Sequence, residues 1–231
     1  FIGALLYYAL VPFYWLTNME PTGAMILGVV LSILTALSVY FVLSRLFNKT
    51  AGLIALFLQS VLLLQIGYDI WVVPTVTTSL WSIWYLYTAV MISRGNYKVL
   101  PILAVLISLI WHISFTLAPL LLTLPVAVIL SCKLPTFRQL IIGCLVLIIS
   151  SAPLLLFESR HGWSQTQSFL QSFGGDQGEA AGLYKLQHVL YQISTNVSPI
   201  LFFPYRDFIL PRLAHLTVYI IFGLVLIKAT V

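Results

Sequence analysis

Charge is spaced along this chain in a way that few folds can accommodate. Between Pro21 and Arg45, between Pro74 and Arg94, and between Arg138 and Glu158, no charged side chain interrupts the sequence. Each gap is close to the roughly 20 residues that a helix, rising about 1.5 Å per residue, needs to cross a hydrocarbon layer. Composition agrees: 7% of residues are charged and 61% are hydrophobic, and the mean hydropathy is +1.04. A soluble domain carries about 25% charge. These values exclude a water-soluble globular domain, a disordered tail and a nucleic-acid-binding module. The eleven Lys and Arg residues give a net charge of +5, but they are scattered between apolar runs. Their expected use is to orient the chain in a membrane. Cys132 and Cys144 lie in or beside apolar runs, and a packing role is expected for both. The chain opens on Phe1 without a Met and stops at Val231 within an apolar stretch, so it is expected to be an internal fragment of a longer membrane protein.

Apolar runs at 22–44, 50–66, 74–92, 139–157 and 208–227 are expected to cross the bilayer. The run 99–131 is too long for one simple crossing and short for two. Flanking charge decides between them. Arg45 and Lys49 follow the first run, Arg94 and Lys98 precede the long one, and Lys133 and Arg138 follow it. With two crossings, 99–111 and 115–131, all six basic residues share one face, and the positive-inside rule makes that face cytoplasmic. The reversal is expected near Trp111-His112-Ile113-Ser114. The expected fold is therefore all-α, a polytopic bundle of about seven crossings forming a single transmembrane domain over 1–231. Interfacial helices lie on the outer face, one of them over 1–17, with Pro12 bending it and Asn18 to Pro21 turning into the first span.

This topology places the acids Glu20, Asp69, Glu158, Asp176, Glu179 and Asp207, and the histidines His112, His161, His188 and His215, at or near the outer face. Chemistry is therefore expected outside, in and around a large outer loop over 158–207. In that loop apolar residues at 183, 186, 190, 193 and 197 have the spacing of a surface-lying helix. Simpler roles are open to the same residues: Asp69 as a helix cap, His112 as a hydrogen-bonded turn residue, Glu158 as an ion-pair partner of Arg160 or Arg206. No GxGxxG, Walker, CxxC or HExxH pattern occurs. Asn48-Lys49-Thr50 matches a glycosylation sequon on the face expected to be cytoplasmic.

Several segments together resemble a family. Gly3-Ala4-Leu5-Leu6-Tyr7-Tyr8 precedes a Pro-containing aromatic stretch and a long span that ends in Tyr40-Phe41-Val42-Leu43-Ser44-Arg45-Leu46-Phe47. Trp71 to Pro74 is similar to an aromatic-Asn-Pro loop, without its Asn-Pro pair. Ile110-Trp111-His112 is similar to a Gln-Leu-His at a helix end. Pro153-Leu154-Leu155-Leu156-Phe157-Glu158-Ser159-Arg160-His161-Gly162-Trp163 resembles the exit into a large outer loop, and it is the most specific of these matches. The chain thus resembles the GT-C membrane glycosyltransferases, in particular family 39 and the RgtA/B/C/D-like group, with the aminoarabinose and protein O-mannosyl transferases as relatives. The resemblance implies transfer of a sugar from a polyprenyl-phosphate donor to a glycan, lipid or protein acceptor at the outer face of a bacterial inner membrane. Partners would then be membrane lipid and the lipid-linked sugar, with no nucleic acid. On this reading Arg160, His161, Lys185 and Arg206 hold the donor phosphate. Asp69 and Glu158 are candidate auxiliary acids or ligands of a possible divalent cation, and His112 is a further candidate. The family's principal catalytic Asp would lie upstream of Phe1, so the fragment alone is expected to be inactive. The competing class is a transporter or lipid-linked oligosaccharide flippase. It would place charge at mid-membrane, which the uncharged spans 22–44, 74–92 and 139–157 do not do.

Overall fold

The computed structural model describes residues 5–61, 73–164, 166 and 167. The chain divides into two compact units, Phe1–Ser60 with Tyr68–Phe173 and Val61–Gly67 with Gly174–Val231. Apart from Val61, the described residues all belong to the first. Their regular elements are all helical, with no strand among them. The seven α-helices are α1 (Leu5–Leu16), α2 (Thr22–Leu46), α3 (Lys49–Val61), α4 (Thr78–Ser93), α5 (Leu100–Ile113), α6 (Thr123–Ser131) and α7 (Phe137–Arg160). Tighter 3-10 turns at Pro74–Thr77, Tyr97–Val99 and Phe115–Leu122 lead into α4, α5 and α6. Two of the helices, α2 and α7, are long and apolar enough to cross a membrane. The expected span 208–227, the helix expected over 183–197 and the site candidates Asp69, Lys185 and Arg206 lie outside the described residues.

Local chemistry sets the helix ends. Asn48 caps α3, its Oδ1 accepting from Ala51 N at 2.8 Å, which gives the sequon Asn an ordinary structural use. Gly52 then lets α3 leave close against α2: a Cβ there would stand 2.8 Å from Tyr40 O and would collide with Ser44 Oγ. At the start of α7 the Gln139 carboxamide accepts from Thr136 N at 2.9 Å, the reach-back half of a capping box. Helix α1 does not lead away from α2 but folds back along it, with Leu6, Leu10 and Leu27 buried together. The turn between them uses left-handed backbone at Asn18 and Met19.

Helix α4 is the central element. Trp81, Tyr85, Thr88 and Ile92 form its buried stripe, and the three apolar members join residues of α5 and α6 in the main core. Polar groups inside this core find partners within the protein, as an apolar environment demands. Trp81 Nε1 donates to Leu106 O at 2.7 Å. Tyr85 OH donates to Leu120 O at 2.5 Å and lies 2.8 Å from Thr123 Oγ1.

Cross-links fix the direction of each helix. Trp84 Nε1 donates to Ser38 Oγ at 3.2 Å, and ten residues on, Arg94 Nη2 donates to Leu46 O at 3.3 Å, so α2 and α4 run parallel. Tyr97 OH, at the start of the 99–131 run, donates to Lys133 O at 2.6 Å and lies 2.8 Å from Ser131 Oγ, at its end. The run therefore goes out and returns, with its break at Ser114, where the backbone is extended. This agrees with the reversal expected at 111–114. The 3-10 segments also lengthen each limb. At about 2.0 Å per 3-10 residue and 1.5 Å per α residue, 97–113 rises about 27 Å and 115–131 about 30 Å. Finally, α7 packs extensively against α5, and a Cβ on Gly143 would sit 3.5 Å from that of Leu100, so the two helices start side by side and run parallel.

One end of the helices thus gathers Arg45, Lys49, Arg94, Lys98, Lys133 and Arg138. The opposite end holds Glu20, His112, Glu158, Arg160 and His161. Cys132 and Cys144, expected to pack, are both exposed. They share the surface with many large apolar residues of α2, α3, α6 and α7, such as Phe57, Ile129, Ile149 and Leu156.

Candidate functional site

The site is built on the last turn of α7. The apolar face of this helix gives way at Phe157, and Gly162 ends it in the manner glycine is suited for, with φ +65°. Trp163 N reaches back to Glu158 O at 2.9 Å, and His161 N lies 3.1 Å from both Phe157 O and Glu158 O. Trp163 is also left-handed, at φ +60°, a region that residues with side chains seldom occupy. The chain then resumes a helical turn, and Gln167 N donates to Trp163 O at 2.9 Å.

Three of the expected site residues come together in this turn. His161 is exposed, with its ring stacked on Phe157 at 4.1 Å between centroids. Its Nδ1 lies 2.8 Å from Phe157 O. A carbonyl can only accept, so Nδ1 carries the proton and Nε2 is the nitrogen left for other partners. Arg160 is exposed, and its side chain bonds to no described residue. Glu158 differs from both: it is 4% exposed. Its Oε2 accepts from Thr166 N at 3.1 Å and Thr166 Oγ1 at 2.9 Å, while Oε1 is buried without a hydrogen-bond partner. The ion pair with Arg160 that the sequence allowed does not form.

His112 occupies the last turn of α5, half-buried, with Nδ1 lacking a hydrogen-bond partner. The Leu100–Gly143 contact and the common rise of parallel helices place it about level with residue 155 of α7. It therefore shares an end with Glu158. No group of three His, Cys, Asp or Glu side chains placed to hold a metal ion occurs among the described residues. Two participants escaped sequence reasoning. Thr166 carries no pattern linking it to an acid eight residues earlier. The unusual backbone at Trp163 was partly signalled by the glycine before it.

Compared with known proteins, the sequence matches no family model and no curated protein, and the fold matches no solved structure.

Proposed function

We propose that this chain is the membrane-embedded part of a glycosyltransferase that moves a sugar from a polyprenyl-phosphate donor to an acceptor hydroxyl. The reading has the protein integral to a bacterial inner membrane, with seven crossings, the basic end in the cytoplasm and the α7 exit facing outward. What carries it is the sorting of chemistry between the two helix ends. Plain cationic turns gather at one end, and a turn presenting Arg160 and His161 stands at the other, at the close of a helix long enough to cross the bilayer. A lipid-linked donor keeps its chain among the apolar helix faces and its phosphate at the interface, which is where this turn lies.

In the reaction the acceptor oxygen bonds to the anomeric carbon as the bond from that carbon to the phosphate oxygen breaks. Polyprenyl phosphate leaves, with negative charge growing on it. Arg160 offers that charge a planar fork of N–H donors. His161 adds Nε2, which donates when the ring is protonated. Lys185 and Arg206 are proposed as further cations and Asp69 as an auxiliary acid, while the principal carboxylate, which takes the proton of the acceptor hydroxyl as the new bond forms, comes from the loop that the family resemblance places before Phe1.

The test uses the full-length protein in lipid, with a short-chain polyprenyl-phosphate sugar as donor. Arg160→Ala should lower transfer by about 100-fold or more, as loss of a group stabilising departing charge does, while expression and melting temperature hold. Unchanged turnover would remove Arg160 from the site.

A further inference from the structure

We infer that Glu158 is a positioning residue, whose carboxylate clamps Thr166 and thereby fixes the turn that presents Arg160 and His161. The inference rests on the proposed sugar transfer for its functional arm, and it revises the part expected of Glu158. A group that moves a proton to or from substrate must come within hydrogen-bond reach of it. Here Oε2 already accepts two hydrogen bonds, from Thr166 N and Thr166 Oγ1, and Oε1 is walled off from solvent. The same residue serves the turn through its main chain, since Glu158 O accepts from His161 N and Trp163 N.

The turn needs such a clamp. Two successive left-handed residues, Gly162 and Trp163, reverse the chain, and the second is a conformation that a tryptophan does not hold unaided. Closure comes from beyond it. Thr166 is tied to Glu158, and Gln167 to Trp163 O and, through Nε2 at 3.3 Å, to Gly162 O. With the returning segment held against α7, the backbone that carries Arg160 and His161 has one arrangement instead of several. Phosphate affinity gains because that ordering precedes binding.

Two measurements on the full-length protein decide this. The first is hydrogen exchange at the Trp163 and Thr166 amides with no donor present, so it reads the clamp independently of sugar transfer. Glu158→Ala and Thr166→Val should both speed exchange, whereas Glu158→Gln and Thr166→Ser, which keep an acceptor or a hydroxyl in place, should not. The second is donor kinetics. Glu158→Ala should raise the donor KM about tenfold, the size expected for a lost buried hydrogen-bond pair, with kcat changed less. Thr166→Val should act in the same direction, and the double variant should be no worse than Glu158→Ala alone. The inference is overturned if exchange is unaffected in Glu158→Ala. It is equally overturned if Glu158→Gln is as inactive as Glu158→Ala while Thr166→Val transfers sugar normally, which would make Glu158 an acid–base group.

Discussion

Gly162 and Gly52 show how much of this structure turns on single positions without a side chain. At Gly162 space is not the issue, since nothing lies within 4 Å of a would-be Cβ; the backbone is, at φ +65°. Gly162→Ala should cost about 1–2 kcal/mol, the usual penalty for left-handed backbone in a residue with a side chain, seen as a lower melting temperature in detergent. At Gly52 the reverse holds. The conformation is helical but the room is missing, with Tyr40 O 2.8 Å from the would-be Cβ. Gly52→Ala should therefore destabilise by about 1–3 kcal/mol through overpacking, whereas Ala at the neighbouring exposed Leu53 should change little by the same measurement. Glu158 teaches a related lesson about reading residues in isolation. Its position after an apolar helix made it a candidate acid, but its partner, eight residues on and past a reversal, could not be inferred from spacing.

Among the helices, what the sequence made legible was periodicity of charge rather than of apolar residues. The apolar run 99–131 marked its break only at Trp111-His112-Ile113-Ser114, and its apolar pattern did not say whether the run is one limb or two. Arg94, Lys98, Lys133 and Arg138 revealed the hairpin by requiring both its ends on one side, and the Tyr97 bond to Lys133 O closes it there. The 3-10 segment Phe115–Leu122, with Pro119 inside it, was not legible, since proline marks a missing N–H and not how tightly the turns around it are wound. Partner choice was hidden for a similar reason. That α4 and not α2 is the hub depends on Trp81 and Tyr85 finding carbonyls on α5 and near α6, and aromatic residues at 81, 84, 85 and 87 suited either a core or a lipid face. Tyr97→Phe should leave the helices formed but loosen the hairpin by about 1 kcal/mol, the net worth of a typical hydrogen bond. Faster amide exchange around residues 95–99 and 131–133, with unchanged circular dichroism, is the expected result.

For the molecule in its proposed membrane setting, the separation of the two ends makes a topological prediction. With Cys132 and Cys144 replaced by Ser, a cysteine introduced at Ser93 should react with an impermeant reagent from the cytoplasmic side, and one at Gly174 from the opposite side. Labelling of both from outside would contradict the proposed orientation and with it the outward-facing sugar site. Replacing Arg94, Lys98 and Lys133 together with Gln should produce a mixed population, because the basic turns carry the orienting signal.

The tie between Tyr97 and Lys133 also bears on how such a chain enters lipid. Threading one limb of this hooked segment through without its mate would part that bond and carry Lys133 and Arg138 to the face opposite Arg94 and Lys98, against the charge rule that orients the chain. Insertion and extraction should accordingly treat 97–133 as one piece, and a truncation falling between its limbs should leave neither of them stably embedded.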